Sequence, residues 1–409
     1  MRAENKKPKR STMKWSLYIL PILAVAAIVL TVQIVRPFGK PKTVLTINQN
    51  PSTAGELNLN LPPNAQGAIG IANGGLIYET LDQSPKPTAS VAKIMTAYLI
   101  LKDKPLAAYQ DGPTLEFTAD DEKTYAQDKS DGQSVAKVAA GEKLTERQML
   151  EALLLPSANN IATALAQWDS GSVTAFVDKM NKTAHELGME NTHYEDPAGI
   201  NLSTQSTAHD QLLIAEQAMK IDAFREIVRM PQATLPVAGT VYNVNYVLGK
   251  GGIVGIKTGS MPKAGGNFVF AAYEAVENRN VLLIGALFGV EGKKPIMDAL
   301  NGAVDVLQKT AESLRVIHVV KKDEQIGTVT FRPGQVLSLL ATQPIDSIAW
   351  PNREIHLNVQ MKELILPIQK GDILGTVSLE GKNPEQTTIV AAQTIAAPTL
   401  FERLTRSSW

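Results

Sequence analysis

Two copies of Ser-Val-Ala-Lys occur in the chain, Ser90 to Lys93 and Ser134 to Lys137. A serine three residues ahead of a lysine is a spacing at which an amine can act as base toward a hydroxyl nucleophile. The first copy leads into "IMTAYLIL", where Ile94, Met95, Tyr98, Leu99 and Leu101 predict a buried helix starting near Ser90, with Lys93 one turn on. The free amides of that helix start favour developing negative charge at Ser90. The second copy runs into "VAAGEKLTERQ", interrupted by Gly141, and is expected as a strand or loop that separates Ser134 and Lys137 onto opposite faces. Two further tripeptides follow the first copy in order, Ser157-Ala158-Asn159 and Lys257-Thr258-Gly259. Alone, each reads as a helix cap or a strand-end turn; in order behind Ser90 and Lys93 they read as a site.

The chemistry open to these residues is acyl transfer. Lys93 can take the Ser90 proton only when neutral, and burial together with the charge of Lys257 is expected to push its pKa down. Ser157 can relay a proton between Lys93 and a leaving amine, and Asn159 can hold both the lysine and a substrate backbone through its amide. Lys257 and Thr258 offer a cation and a hydroxyl to a terminal carboxylate, and Gly259 lets a substrate strand approach the backbone. The chain has no cysteine, which excludes thiol nucleophiles, disulfides and thiolate metal sites. His185, His193, His209, His318 and His356 lack metal-ligand spacing, so neither metal nor cofactor is expected.

Positioning such a site takes a folded domain, and 409 residues with 44% hydrophobic and 20% charged composition are enough for two or more. Equal numbers of basic and acidic residues argue against a nucleic-acid partner. Residues 1–14 carry six basic side chains ahead of an apolar run at 15–35 that would span about 31 Å as a helix. A cytoplasmic basic tail, a retained transmembrane anchor and an extracytoplasmic bulk follow as expectations. Residues 36–64, rich in Pro, Asn and Thr, read as a linker. A domain over 65–314 begins with a hairpin around Asn73-Gly74-Gly75 and continues into helices, one opened by the capping-box spacing Thr145 to Gln148 and one closed by Gly188. A second hairpin turns at Asn278-Arg279-Asn280 before a helix from about Pro295 to Leu314. The polar stretch "TADDEKTYAQDKSDGQ" reads as an exposed excursion beside the site. Residues 315–398 form short β runs, "VIHVV", "IGTVTF", "VLSLL", "IHLNV", "LILPI", "LGTVSL" and "TTIVAA", expected as a β-sandwich-like domain before a short tail at 399–409.

The segments "PTASVAKIMTAYLI", "LTERQMLEALLLPSANNIATALA", "FVDKMNKTAHELGMENTHYEDPAGIN" and "GIKTGSMPKAGGNFVFAA" resemble the low-molecular-mass D-alanyl-D-alanine carboxypeptidases of serine peptidase family S11. The resemblance runs from about residue 67 to 314 and continues more weakly through the β domain. It implies an α/β (α+β) fold of the serine β-lactamase and DD-peptidase type, with an antiparallel sheet and a helical subdomain. It also implies an acyl-enzyme at Ser90 with Lys93, Ser157 and Asn159 catalytic, and Lys257, Thr258, Gly259 and Ser260 binding substrate. The amides of Ser90 and Ser260 fall in the oxyanion hole by the same resemblance. The implied partners are peptidoglycan stem peptides ending in D-Ala-D-Ala, with β-lactams as covalent inhibitors. Ser260-Met261 and Val254 depart from the usual pattern around the third motif, which leaves substrate preference open. A Glu195 deacylation base is disfavoured because the Leu-Asn pattern expected after it is absent. A DD-endopeptidase with the same site and a non-catalytic wall-binding scaffold stay open as alternatives.

Overall fold

The computed structural model describes residues 16–36, 39–381 and 385–405. The chain divides into two compact units, Ser52–Ile317 with Ile348–Glu354, and the described parts of 1–51, 318–347 and 355–409.

The first unit is built on a five-stranded antiparallel sheet in the spatial order Ile253–Met261, Gly265–Val276, Arg279–Val290, Gln66–Ile71 and Gly75–Glu79. Both expected hairpins are present, but the second turns at Glu277-Asn278, with Arg279 and Asn280 already paired in the strand. Helices cover both faces of this sheet, so the central strands read as nearly continuous apolar runs instead of alternating. Helix Pro295–Ser313 packs on one face, where Phe268, Phe270, Leu283, Leu287, Leu300 and Val306 share a core with Trp350. On the other face Val269, Ala271, Ala286 and Phe288 meet a bundle that includes helices Lys93–Asp103, Glu146–Leu154, Asn159–Ser170 and Ala208–Ala218. Such a three-layer arrangement buries the apolar face of every element.

Local signals fix the helix ends. Thr145 and Gln148 form the expected capping box, each side chain bonding the other's backbone N–H. The polar excursion is itself a helix, Ala119–Ser130, started by a second capping box between Thr118 and Asp121, with no buried residue. Charged and amide side chains all round hid its period, and the caps decided its state. The expected helix start at Ser90 is shifted: Ala89–Ala92 is a 3-10 turn, and the α-helix proper begins at Lys93.

The second unit holds a six-stranded antiparallel sheet in the order Lys42–Leu45, Gln325–Arg332, Gln335–Ala341, Gln386–Ala391, Ile373–Leu379 and Leu357–Met361. Its core includes Val329, Leu337, Leu339, Val377 and Ile389. Two expectations are corrected here. The linker assigned to 36–64 contributes an edge strand, with Thr43 opposite Val329, because a short Thr-Val-Leu run gains its ladder from a partner far away in sequence. The run "LILPI" is no strand, since Pro367 lacks the N–H a ladder needs, while Ile345–Ala349 is one.

The basic tail at 1–14 lies outside the described residues. The apolar run that follows is helix Ser16–Val35, with Ile19, Leu20, Ile22 and Leu23 exposed. Among the described residues no helix is long and apolar enough to cross a membrane, so the transmembrane anchor expected at 15–35 is not shown by the fold.

Candidate active site

Ser90 sits in a strained turn held from three sides. The preceding residue, Ala89, has φ +48, a conformation that L side chains rarely adopt. The Asn267 amide, fully buried in an apolar strand, donates to Pro87 O at 2.9 Å and Thr88 O at 3.0 Å, while Gly289 N donates to its Oδ1 at 2.8 Å. Gly259 lies directly against the turn: a Cβ there would sit 2.9 Å from Thr88 O and 3.0 Å from Ser90 N. Its missing side chain therefore lets the third motif pack on the Ser90 turn, a role the sequence assigned to substrate approach.

Three residues after Ser90 the α-helix begins at Lys93, whose side chain reaches back to the turn. Its Nζ is 2.8 Å from Ser90 Oγ, 2.6 Å from Asn159 Oδ1 and 2.9 Å from Ala198 O. The side chain is fully buried. Burial is the first cause holding its pKa well below the ordinary lysine range; the charge of Lys257 adds to this, and Asp196 opposes it. Lys257 is itself pushed down to about 7 by burial, and its Nζ donates to Thr258 O at 3.1 Å. Lys257 and Thr258 are buried, whereas Ser260 is exposed at the end of the same strand.

The middle motif stands between two helices. Helix Glu146–Leu154 ends short of Pro156, Ser157 turns the chain at φ +69, and Asn159 starts the next helix. The turn leaves the Ser157 hydroxyl buried, with no hydrogen-bond partner among the described residues. A buried donor without a partner carries a cost that a reacting group can relieve. Asn159 uses both ends of its amide, Oδ1 toward Lys93 and Nδ2 donating to Gln133 Oε1 at 2.8 Å.

Three contributors escaped the motif reading. Ala198 acts through its carbonyl, presented by a turn in which the Asp196 carboxylate accepts from Ala198 N, Ile200 N, Asn201 N and the Thr204 hydroxyl. Asp-Pro-Ala-Gly turn chemistry was the available signal. Asn267 was legible as a lone amide opening an apolar strand; Gln133 had no signal at all. Glu195 turns away and pairs with His193 at 2.7 Å. The second Ser-Val-Ala-Lys copy is irregular, not stranded, with Ser134 and Lys137 both exposed, yet Ser134 O accepts from Asn159 N at 2.8 Å. Among the described residues no three His, Cys, Asp or Glu side chains gather as a metal site.

Set beside known proteins, residues 64–291 match the family model described as D-alanyl-D-alanine carboxypeptidase. D-alanyl-D-alanine carboxypeptidase DacF of Bacillus subtilis is 27% identical over 320 residues, covering 75% of this chain and 78% of its own. The D-alanyl-D-alanine carboxypeptidase of Streptomyces sp. strain K15 is 34% identical over 223 residues, covering 50% of this chain and 74% of its own. Among solved structures, the Streptomyces K15 DD-transpeptidase superposes with a TM-score of 0.54 at 28% identity over 63% of this chain and 98% of that one. Penicillin binding protein 5 of Haemophilus influenzae shares the fold at a TM-score of 0.60 and 19% identity, over 84% of this chain and all of that one.

Proposed function

The chain belongs to the D-alanyl-D-alanine carboxypeptidase family, and from that membership we propose that it is a serine carboxypeptidase that removes the terminal D-alanine from peptidoglycan stem peptides. The observation that carries the reading is the contact set of Lys93, a buried amine 2.8 Å from the Ser90 hydroxyl and held by two carbonyl oxygens. Neutral Lys93 accepts the Ser90 proton as Oγ bonds to the penultimate carbonyl carbon, and the Ser90 and Ser260 amides receive the oxyanion. The C–N bond then breaks, and the proton passes from Lys93 through Ser157 to the departing amine. Water then attacks the acyl carbon and gives a proton to Lys93, which returns it to Ser90 Oγ as the ester C–O bond breaks and the shortened peptide leaves as its acid. Lys257 and Thr258 bind the terminal carboxylate. Penicillins acylate Ser90 by the same attack and stay bound.

We further propose that helix Ser16–Val35 ties the protein to the membrane, with the catalytic unit on the outer side. Its exposed apolar side chains and the basic residues before it support this.

The test of the activity is product analysis on a stem pentapeptide and on a cross-linked dimer, with fluorescent penicillin as a label. One D-alanine released per pentapeptide, with labelling lost in Ser90→Ala and kept in Ser134→Ala, is the expected result. Preferential cleavage of the dimer would make it an endopeptidase, the name carried by a Pseudomonas aeruginosa relative 36% identical over 148 residues. Neither product nor label would leave a wall-binding scaffold.

A further inference from the structure

The hydrogen-bond geometry around Lys93 raises a question of valence. A neutral amine has two N–H bonds and one lone pair. Its neighbours are two carbonyl oxygens, Asn159 Oδ1 at 2.6 Å and Ala198 O at 2.9 Å, and one hydroxyl, Ser90 Oγ at 2.8 Å. If both hydrogens go to the carbonyls, the lone pair is left for the Ser90 O–H, which is the arrangement a base requires. Ala198 O is a backbone atom fixed by the Asp196 turn. Asn159 has a primary amide, and rotating it by half a turn would put NH2 where the oxygen is. That NH2 would take up the lone pair, and the amine would donate to Ser90 in place of accepting from it.

Among the described residues, Gln133 is the side chain that meets the outer end of the Asn159 amide. Asn159 Nδ2 donates to Gln133 Oε1 at 2.8 Å, so the carbonyl end is turned toward Lys93. Gln133 is well placed for this. It is half-buried just past helix Ala119–Ser130, where its backbone N–H bonds Asp128 O at 3.0 Å. The next residues are strapped to the start of the Asn159 helix: Asn159 N bonds Ser134 O at 2.8 Å, and Asn160 exchanges two bonds with Ala136 at 3.1 and 2.9 Å. The strap fixes the backbone, and Gln133 fixes the amide.

We propose that Gln133 is a positioning residue for the reaction: by holding the Asn159 amide in one orientation it directs the Lys93 lone pair onto Ser90. The inference rests on Lys93 being the base proposed above. It gives the polar excursion a purpose in the site, since the segment ends by delivering this one acceptor.

The experiment is penicillin acylation of the full chain across pH, with thermal melting alongside, for three substitutions. Gln133→Ala removes the acceptor and is expected to slow acylation by about tenfold to a hundredfold, the range for a misdirected base. Gln133→Lys offers only donors, turns the Asn159 carbonyl away from Lys93, and is expected to be slower still. Gln133→Glu keeps the acceptor and recovers most of the rate. Its added negative charge joins Asp196 against Lys257, so the acidic limb of its profile moves to higher pH. Equal slowing in Gln133→Ala and Gln133→Glu with a lowered melting point would reduce Gln133 to packing and overturn the proposal. So would wild-type rates and an unmoved pH profile in all three. Lys93→Ala separates the two levels: if it acylates at the wild-type rate, the base assignment itself fails. If it is inert while Gln133→Ala is intact, only this inference does.

Discussion

At the scale of single residues, the site runs on two buried lysines whose charged forms are disfavoured. Between about 7, where burial places Lys257, and the ordinary lysine value, the unfolded chain binds more protons than the folded one. Stability therefore rises with pH across that window and is lowest at and below neutrality. The contribution is about 5 kcal/mol at most. Lys257→Met removes it: the variant should melt higher than wild type at pH 7 and show a flatter rise from pH 7 to 10, while losing most of its acylation rate. Melting curves at those pH values check this, and parallel curves for the two proteins would rule it out. The same variant tests the coupling to Lys93. Burial leads the causes of the Lys93 shift and Lys257 comes second, so the acidic limb of residual acylation should move up yet stay well below an ordinary lysine value.

At the scale of elements, the site depends on how closely three segments approach. Strand Ile253–Met261, the turn Ala89–Ala92 and the 195–201 loop touch through backbone atoms, and glycine is what permits it. At Gly199, φ is +77 and a Cβ would fall 1.8 Å from Ala89 O. At Gly259 the nearest atoms are backbone atoms 2.9 to 3.1 Å away, so a Cβ there fits only if the strand or the Ser90 turn moves. The two alanine substitutions should therefore differ in kind. Gly199→Ala is expected to cost about 3 kcal/mol or more in stability, through overpacking added to backbone strain. Gly259→Ala should cost about 1 kcal/mol but displace the third motif from Ser90, slowing acylation by about a hundredfold. Denaturant unfolding and penicillin acylation on both variants decide it; similar stabilities would contradict the packing argument.

At the scale of the whole molecule, the amino-terminal region has two separable jobs. Residues 16–35 supply an exposed apolar helix, and residues 42–45 supply an edge strand to the β sheet of the second unit. If helix Ser16–Val35 is the membrane tie proposed above, a chain starting at residue 39 should leave the membrane fraction with its acylation rate and melting intact. One starting at residue 52 should also be soluble and acylate normally, yet show a lower unfolding transition for the β unit, because the edge of strand Gln325–Arg332 is left unpaired. If the first of these chains still pellets with membranes, helix Ser16–Val35 is not the anchor. If the second melts like the first, the edge strand contributes nothing to stability.

What the sequence determined by itself was whatever chemistry writes locally. The order Ser90 and Lys93, Ser157 to Asn159, Lys257 to Gly259 was legible because hydroxyl, amine and amide side chains are distinct residue types at short spacings. The hairpins and capped helices were legible because glycine, threonine and glutamine signal their own backbone states. What only the tertiary structure decided was contact between segments far apart in sequence. The pairing of Thr43 with Val329, the carbonyl of Ala198 on Lys93 and the hold of Gln133 on Asn159 join positions separated by tens to hundreds of residues. The physical reason is that a backbone carbonyl or a lone amide looks the same at any position along a chain. Its role is set by what folding brings within hydrogen-bond distance of it.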